Sequence, residues 1–208
     1  MSPVIAYLLC ALAGYLLGSI STGILVAGKS GHDIRKEGSH NTGASNALRV
    51  LGIKGGLLTF LGDFAKATLA VLLGKWLANH FIGPDAAKYG GMIGALFVVL
   101  GHNWPVFFGF KGGKGIACST AILLILFPWQ GAVAVAVCVL VIWLTRYISL
   151  GSMTMLLVFF VLLAFTEPPF WPNGVWALAL LCLGVYRHRS NIQRLKNGTE
   201  NKIGQRTK

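Results

Sequence analysis

Residues 23–30 read GILVAGKS, which fits the nucleotide-binding pattern G-x-x-x-x-G-K-[ST] letter for letter. Two very different folds compete for these letters. A P-loop needs a β-strand, then a glycine-rich turn whose amides cradle phosphate at the start of a helix. Here Ile24-Leu25-Val26-Ala27 continue an apolar run that begins near residue 4. No strand pattern precedes the glycines, and no acidic Mg²⁺ ligand follows in an apolar strand. The stretch therefore reads as the end of a membrane helix, its amides bonded within the helix. Lys29 marks where that span leaves the bilayer, free to snorkel or to reach a ligand. NTP hydrolysis is excluded.

Composition agrees. Apolar residues make up 55% of the chain and charged residues only 12%, about half the charge of a soluble domain. Lipid is the natural solvent. What is not lipid-facing is strongly basic, with 18 Lys+Arg against 6 Asp+Glu and a formal net charge of +12. Cys10, Cys118, Cys138 and Cys182 lie in separate apolar stretches without metal-ligand spacing. They read as small apolar helix residues, and no metal site is expected.

Apolar runs lie at about 4–27, 57–78, 89–110, 116–128, 130–145, 147–166 and 173–186. A spanning helix needs about 20 residues to cross about 30 Å of hydrocarbon. Ile116 to Thr145 is too long for one span, and Pro128-Trp129-Gln130-Gly131 breaks it, which predicts a tight hairpin of two short spans. The first run lacks a basic n-region and is too long for a cleavable signal peptide. The expected fold is an all-α integral membrane protein of about seven transmembrane helices, a single polytopic domain over 1–208. Fifteen of the 18 basic residues fall in 28–56, in 111–115, at Arg146 and in the tail from Arg187. Seven spans with the N-terminus outside place all of these, and the C-terminus, on the cytoplasmic side. Lys88 stays in an outer loop, with Lys66 and Lys75 in the second span. Five spans would send Arg146, the Lys111–Gly115 loop or the tail to the wrong side.

A second chance match is His80…Asp85, which fits the H-x4-D signature of lipid acyltransferases. The pair straddles Gly83-Pro84 in a loop placed outside, away from cytoplasmic acyl donors, and reads as a solvated turn. Asp63 and Lys66, spaced i and i+3 inside the second span, are expected to pair or to face the protein interior, since either charge alone is costly in lipid. Direct substrate contact is the competing role.

Three inner-face segments, 28–56, 101–117 and 187–202, are rich in groups that hold phosphate. The first contains GHDIRKEGSHNTGASNALRVLG (31–52). It offers Ser39, Asn41, Thr42, Ser45 and Asn46 as small hydrogen-bonding side chains, with Gly38 and Gly43 letting amides turn inward as an anion nest. Arg49 can present a bidentate fork to a phosphoryl group. The second is GHNWPVFFGFKGGKGIA (101–117). Pro105 must end a helix there, and Gly112, Gly113 and Gly115 free the backbone at the start of the next one, where amides favour an anion and Lys114 adds charge. The third is RHRSNIQRLKNGTENK (187–202). His188, Asn191 and Arg194 align on one face of a continuing helix, while Lys202 to Lys208 read as a polybasic tail for anionic lipid.

Such a basic, glycine-rich inner face fits an enzyme joining a phosphate-bearing soluble substrate to a lipid-soluble one. It also fits a membrane transporter of organic phosphate. Transport predicts polar residues continuing to the outer side and inverted repeats. The outer loops 79–88, 128–131 and 167–173 are short and poor in donors, and no repeat is visible. Enzyme is favoured.

GSISTGILVAGKSGHDIRKEGSHNTGASNALR, GHNWPVFFGFKGGKGIA and HRSNIQRLKNGTENK together resemble, in order and over nearly the whole length, the three inner-face motifs of bacterial acyl-phosphate:glycerol-3-phosphate acyltransferases of the PlsY type. The resemblance implies an inner-membrane enzyme of seven helices that moves an acyl chain from acyl phosphate to the sn-1 hydroxyl of glycerol 3-phosphate. Lysophosphatidic acid and inorganic phosphate would be the products, and acyl-CoA would not serve. No cofactor and no nucleic acid are implied; the lipid bilayer and a soluble acyl-phosphate-producing enzyme are the candidate partners. Carried over by position, Ser39, Arg49 and Lys114 would hold the phosphate of glycerol 3-phosphate, with Lys29, Asn41, His188 and Asn191 close by. Gly112, Gly113 and Gly115 would shape the loop for acyl phosphate. Ser21 stands where the family often has proline, and His40 where it often has glycine. Lys114, His188 and Asn191 are the expected catalytic residues. Acyl phosphate is a mixed anhydride with a good leaving group, so no protein nucleophile is needed, and each well-placed donor supplies ~3–4 kcal/mol of charge stabilisation. His188 is a candidate base by type; the resemblance points instead to the substrate's own phosphate, which is preferred.

Overall fold

The first apolar run is two helices, not one. In the computed structural model, which describes residues 1–167 and 171–204, α1 (Pro3–Gly18) stops short and α2 (Thr22–Lys29) completes the run. Ser21 between them is extended (φ −87°, ψ 94°). The Ser19 hydroxyl bonds back to the Tyr15 carbonyl at 2.9 Å, a contact that bends helices. The GILVAGK stretch is helical, as its apolar continuity requires. Of the loop 167–173 that the sequence reading places outside, residues 168–170 lie outside the described residues, as do Arg206 and Lys208 of the basic tail.

All regular structure among the described residues is helical. The chain divides into two compact units, Met1–Leu126 and Phe127–Lys208. The first holds α1 and α2, followed by α3 (Ala44–Phe81), α4 (Ala87–Asn103) and α5 (Ile116–Leu126). Part of the stretch expected as inner loop is helical: α3 begins at Ala44 and is interrupted at Gly52 (φ 72°), in the left-handed region that favours glycine.

Small residues set the packing of this unit. Helix α1 turns Ala6, Cys10, Gly14 and Gly18 inward while Leu8, Leu12 and Leu16 stay exposed, the reverse of a soluble helix. A Cβ at Gly14 would collide with Gly94, and one at Gly18 with the Val98 carbonyl, so α1 and α4 run parallel. Gly74 meets Gly90 and Ala70 meets Gly94, so α3 runs antiparallel to both. Close approach through small side chains is how membrane helices associate without a hydrophobic drive. Accordingly the ends of α1 and α4 (Gly18 and Asn103) lie level with Asp63 of α3. Helix α5 starts at this level, with Cys118 Sγ donating to the Asp63 carbonyl at 3.4 Å, and ends beside Gly91.

In the second unit α6 (Pro128–Thr145), α7 (Ile148–Thr166), α8 (Asn173–Arg187) and α9 (Arg189–Lys196) follow in order. Pro128 opens α6 after the non-helical Phe127, where the sequence predicts the hairpin break. Phe127, Phe159 and Trp176 form a ring cluster with centroids 5.7 to 6.4 Å apart. Arg146 turns the chain between α6 and α7 in a left-handed conformation (φ 63°). Its backbone carbonyl accepts from Ile203 N–H at 2.9 Å and its guanidinium donates to the Ile203 carbonyl at 3.0 Å. The Arg146 turn and the tail are therefore side by side.

Among the described residues, five helical segments are long and apolar enough to cross a membrane: Pro3–Lys29, Ala44–Phe81, Pro84–Phe108, Pro128–Thr145 and Ile148–Thr166. Ile116–Leu126 and Asn173–Arg187 are shorter apolar helices. The 11 residues of α5 cover only about 16 Å. Its brevity has a cause: the loop before it is recessed to the level of Asp63.

Candidate active site

Residues 30–43 join α2 to α3 and are organised by one side chain, Asn46, in the first turn of α3. Its amide donates to the carbonyls of Ile34, Glu37 and Asn41 at 3.1, 3.0 and 2.9 Å, and its Oδ1 accepts the Ser39 N–H at 2.8 Å. Asn46 is buried. Gly38 (φ 62°) lies so close that any Cβ would overlap Asn46 Oδ1. The anion nest expected at Gly38 and Gly43 is corrected in part. Ser39 N–H is committed to Asn46, and Gly43, extended at φ −85°, donates to Asn41 Oδ1 at 3.0 Å. Two nest amides thus serve the loop itself.

The loop's charges also pair locally. Arg35 holds Asp33 at 2.9 Å, and His32 meets Glu37 at 3.0 Å; the Arg35 hydrogen bond keeps the Asp33 carboxyl below its ordinary value. His40 takes a left-handed conformation (φ 56°), which explains why glycine suits this position. Ser39, Asn41 and Arg49 are half-buried, and Lys29 is exposed at the end of α2. Gly23 packs against the Thr42 carbonyl, tying the loop's end to the start of α2.

The Lys111–Gly115 loop sits on the last turn of α4. Pro105 ends that helix as expected, and the freed carbonyls are used: Trp104 O accepts from Tyr15 Oη at 2.9 Å, and His102 O accepts the Gly113 N–H at 3.0 Å. Gly112 and Gly113 press against the His102 and Asn103 backbone and the His102 ring, so neither has room for a side chain. Gly115 is left-handed (φ 78°) and faces Asn103 and Val99. All three glycines are buried, while Lys114 is half-buried at the entrance to α5.

Beneath the loop lies a buried charge cluster. Lys66 Nζ is 2.9 Å from Asp63 Oδ1, 3.1 Å from His102 Nδ1, and donates to the carbonyls of Gly18 and Ile20 at 3.0 and 2.7 Å. The pairing expected of Asp63 and Lys66 is present, with His102 added. Ligand atoms of Asp63, His102 and Cys118 lie within 4.8 Å of one another, an arrangement a divalent ion could use. The Lys66 ammonium already stands among them, so an ion there would face a fixed positive charge.

In the second unit, His188 caps α8 and leads into α9. Its Nδ1 lies 2.8 Å from the Gly184 carbonyl. A carbonyl only accepts, so Nδ1 carries the proton and Nε2 is the basic nitrogen of the neutral ring. Asn191 and Arg194 share a face with His188, as the spacing predicts, but both turn to Glu200. Asn191 Nδ2 donates to Glu200 Oε1 at 2.6 Å, Ser149 Oγ to the same oxygen at 2.8 Å, and Arg194 Nε to Oε2 at 2.7 Å. Burial raises the Glu200 pKa, yet the hydrogen bonds from Asn191, Ser149 and Arg194 outweigh it and hold the carboxyl below its ordinary value of 4.5. Arg194, aligned with His188 and Asn191 by its spacing, holds this carboxylate through Nε. Lys202, read as lipid-binding, stands over the Tyr147 ring at 5.3 Å.

Away from these segments, His80 lies in the last turn of α3, stacked on Trp76 at 5.4 Å, and of the H-x4-D pair only Asp85 sits in the short turn.

Residues 8–198 match the family model described as glycerol-3-phosphate acyltransferase. The chain belongs to the glycerol-3-phosphate acyltransferase family. A glycerol-3-phosphate acyltransferase of Thermoanaerobacter pseudethanolicus is 44% identical over 203 residues, 96% of each chain. One from Clostridioides difficile is 41% identical over 204 residues, 98% of each chain. Among solved structures, the glycerol 3-phosphate form of PlsY (YgiH), an integral membrane glycerol 3-phosphate acyltransferase, aligns with a TM-score of 0.86. It is 37% identical, covering 95% of this chain and 96% of that one. The lysophosphatidic acid form gives 0.83 at 36% identity, covering 95% of both. The molecule is accordingly a membrane-embedded acyltransferase with a small-molecule phosphate substrate.

For this acyltransferase three residues gain roles the sequence reading missed. Asn46 was one donor among many; its position in the third place of a helix whose cap is glycine, able to reach back over the loop, was the available signal. Glu200 is the lone acid in the tail from Arg187, which should have marked it as a partner for the basic groups around it. His102 was legible as a polar group within an apolar span beside the Pro105 break, but its partners Asp63 and Lys66 were not.

Proposed function

We propose that this chain transfers an acyl group from acyl phosphate to the sn-1 hydroxyl of glycerol 3-phosphate. The hydroxyl oxygen attacks the acyl carbon, the anhydride C–O bond breaks, and lysophosphatidic acid and inorganic phosphate leave. The observation that carries the reading is the Gly112–Gly115 loop, whose three glycines bring Lys114 to the start of α5. Helix N-terminal amides and an adjacent cation suit the charge that grows on the departing phosphate. Lys114, Arg49 and Ser39 hold the glycerol 3-phosphate phosphate, with Lys29 and Asn41 assisting; Gly112, Gly113 and Gly115 receive acyl phosphate. His188 and Asn191 act on the same reaction. The hydroxyl proton passes to substrate phosphate, and the fixed tautomer of His188 makes its Nε2 the competing acceptor.

The proposal extends to topology. Seven helices cross the bacterial inner membrane, with the N-terminus outside, the C-terminus in the cytoplasm and the chemistry on the cytoplasmic side. The parallel course of α1 and α4 supports a common end for the first two motif segments. The paired Arg146 and Ile203 backbones support a common side for that turn and the tail. A soluble producer of acyl phosphate is the partner that suits the basic face.

The test supplies purified protein with labelled glycerol 3-phosphate and either acyl phosphate or acyl-CoA. Lysophosphatidic acid should form from acyl phosphate only. Lys114→Ala or Arg49→Ala should cost about 10²–10³ in rate while the protein still inserts. Product from acyl-CoA alone, or a Lys114→Ala variant at parental rate, refutes the assignment; product from neither donor points to transport.

A further inference from the structure

We propose that Asp63, Lys66 and His102 are positioning residues for the Gly112–Gly115 loop, fixing its shape without touching substrate. The inference rests on the reading of that loop as a phosphate site. All three side chains are buried, at 1%, 5% and 6% exposure. An ammonium has three N–H groups, and three oxygens stand within 3.0 Å of Lys66 Nζ, the Gly18 and Ile20 carbonyls and the Asp63 carboxylate, with His102 Nδ1 at 3.1 Å from Nζ and 3.4 Å from Asp63 Oδ1. Its donors are used up inside the protein, which leaves none for a ligand. Direct substrate contact by Lys66 is thereby disfavoured.

Helix packing does not need this cluster. Glycine contacts already bring α1, α3 and α4 together, and an ion pair in an apolar interior is a weak source of stability. What charges and hydrogen bonds add is direction. Three pieces of chain are referred to one point: the α1–α2 break through Gly18 and Ile20, α3 through Asp63, and the end of α4 through His102. The loop is then built on that point at both ends. Upstream, His102 supplies the carbonyl that accepts the Gly113 N–H, and its ring fills the space a Gly113 side chain would take. Downstream, Cys118 in the first turn of α5 bonds to the Asp63 carbonyl. Rotating the His102 ring moves Gly113 directly, because Gly113 rests on Nε2.

The experiment measures kcat, KM for both phosphate substrates and the thermal midpoint of purified His102→Gln, Lys66→Met, Lys66→Arg and Lys114→Ala proteins. Displacing a loop by a fraction of an ångström to 1 Å costs about ten- to hundredfold in the step it positions. His102→Gln should raise KM for at least one phosphate substrate by about tenfold, with a midpoint close to parental. Lys66→Met should raise KM at least as far and also lower the midpoint, because it strands the buried Asp63 carboxylate, and Lys66→Arg should recover part of both losses. A reciprocal pair adds a test independent of stability: Gly113→Ala should raise KM, and His102→Ala in the same chain, by vacating the ring's space, should lower it again. Parental KM for both substrates in His102→Gln, beside an inactive Lys114→Ala, overturns the positioning role alone. A near-parental Lys114→Ala overturns the phosphate-loop reading and this inference with it. Loss of rate that only tracks loss of the folded fraction also overturns it.

Discussion

Replacing Asn46 by alanine removes one accepted hydrogen bond and two N–H groups shared among three carbonyls, contacts that together shape residues 34–41. Each contributes a net ~0.5–1.5 kcal/mol. The Ile34 bond is buried, while the other three reach half-buried groups where water can partly substitute, so about 3 kcal/mol is a fair total. At ~1.4 kcal/mol per factor of ten, the ordered form of the loop loses about 150-fold against its open forms. The helical core is untouched, since the bonds lie at its edge. We expect kcat/KM for glycerol 3-phosphate to fall at least tenfold, chiefly through KM, with a small change in thermal midpoint. Hydrogen exchange at the Ser39 amide should accelerate in step. Asn46→Asp sharpens the test. It keeps an acceptor for Ser39 N–H but turns a carboxylate toward three carbonyls, and should be at least as damaging as alanine. Parental KM with an unchanged Ser39 exchange rate would refute the claim that this one amide shapes the motif.

Glu200 should make stability depend on pH. Its carboxyl is held below the ordinary 4.5, so its contribution is complete above that value and is lost as pH falls through the lower folded-state pKa. Thermal midpoints in detergent should therefore drop below about pH 4.5 for the parent and less steeply for Glu200→Gln, which already lacks the charge at pH 7; parallel curves would contradict the assignment. The helix contacts predict a contrast between two glycines. Gly18→Ala drives a methyl into the Val98 carbonyl and should cost about 1–3 kcal/mol, whereas Gly28→Ala, with nothing within 4 Å of the added Cβ, should be neutral or gain ~0.5–1 kcal/mol. Equal midpoints for the two variants would remove the close-packing argument.

What could be read from the chain alone follows from the range of the forces involved. Lipid exposure is a local, additive property, so runs of apolar residues and their breaks at Pro105 and Pro128 were legible. So was the pairing of Asp63 with Lys66, because a helix turn brings i and i+3 together. The Ser19–Ser21 interruption was not, since the acceptors it frees are taken by Lys66, far along the chain. For the same reason the nest reading of Gly38 and Gly43 was only half right: the amides exist, but Asn46 and Asn41 reach two of them first. Arg194 was placed on the face it occupies, but its partner Glu200 was not legible, because Glu200 returns to it around a turn that helical spacing does not describe.

The depth of the glycine loop carries a chemical consequence. From Ile53 to Asp63 α3 rises ten residues, roughly 15 Å, and along that rise Ile53, Leu57, Leu58 and Leu61 remain exposed apolar groups. The site proposed for the mixed anhydride lies at the level of Asp63, where hydrocarbon along this rise would restrict the approach of bulk solvent. Water is the nucleophile that would waste an activated acyl group. A recessed floor favours the alcohol brought in by its own phosphate, so that thrift with the donor is a property of where the short helix begins.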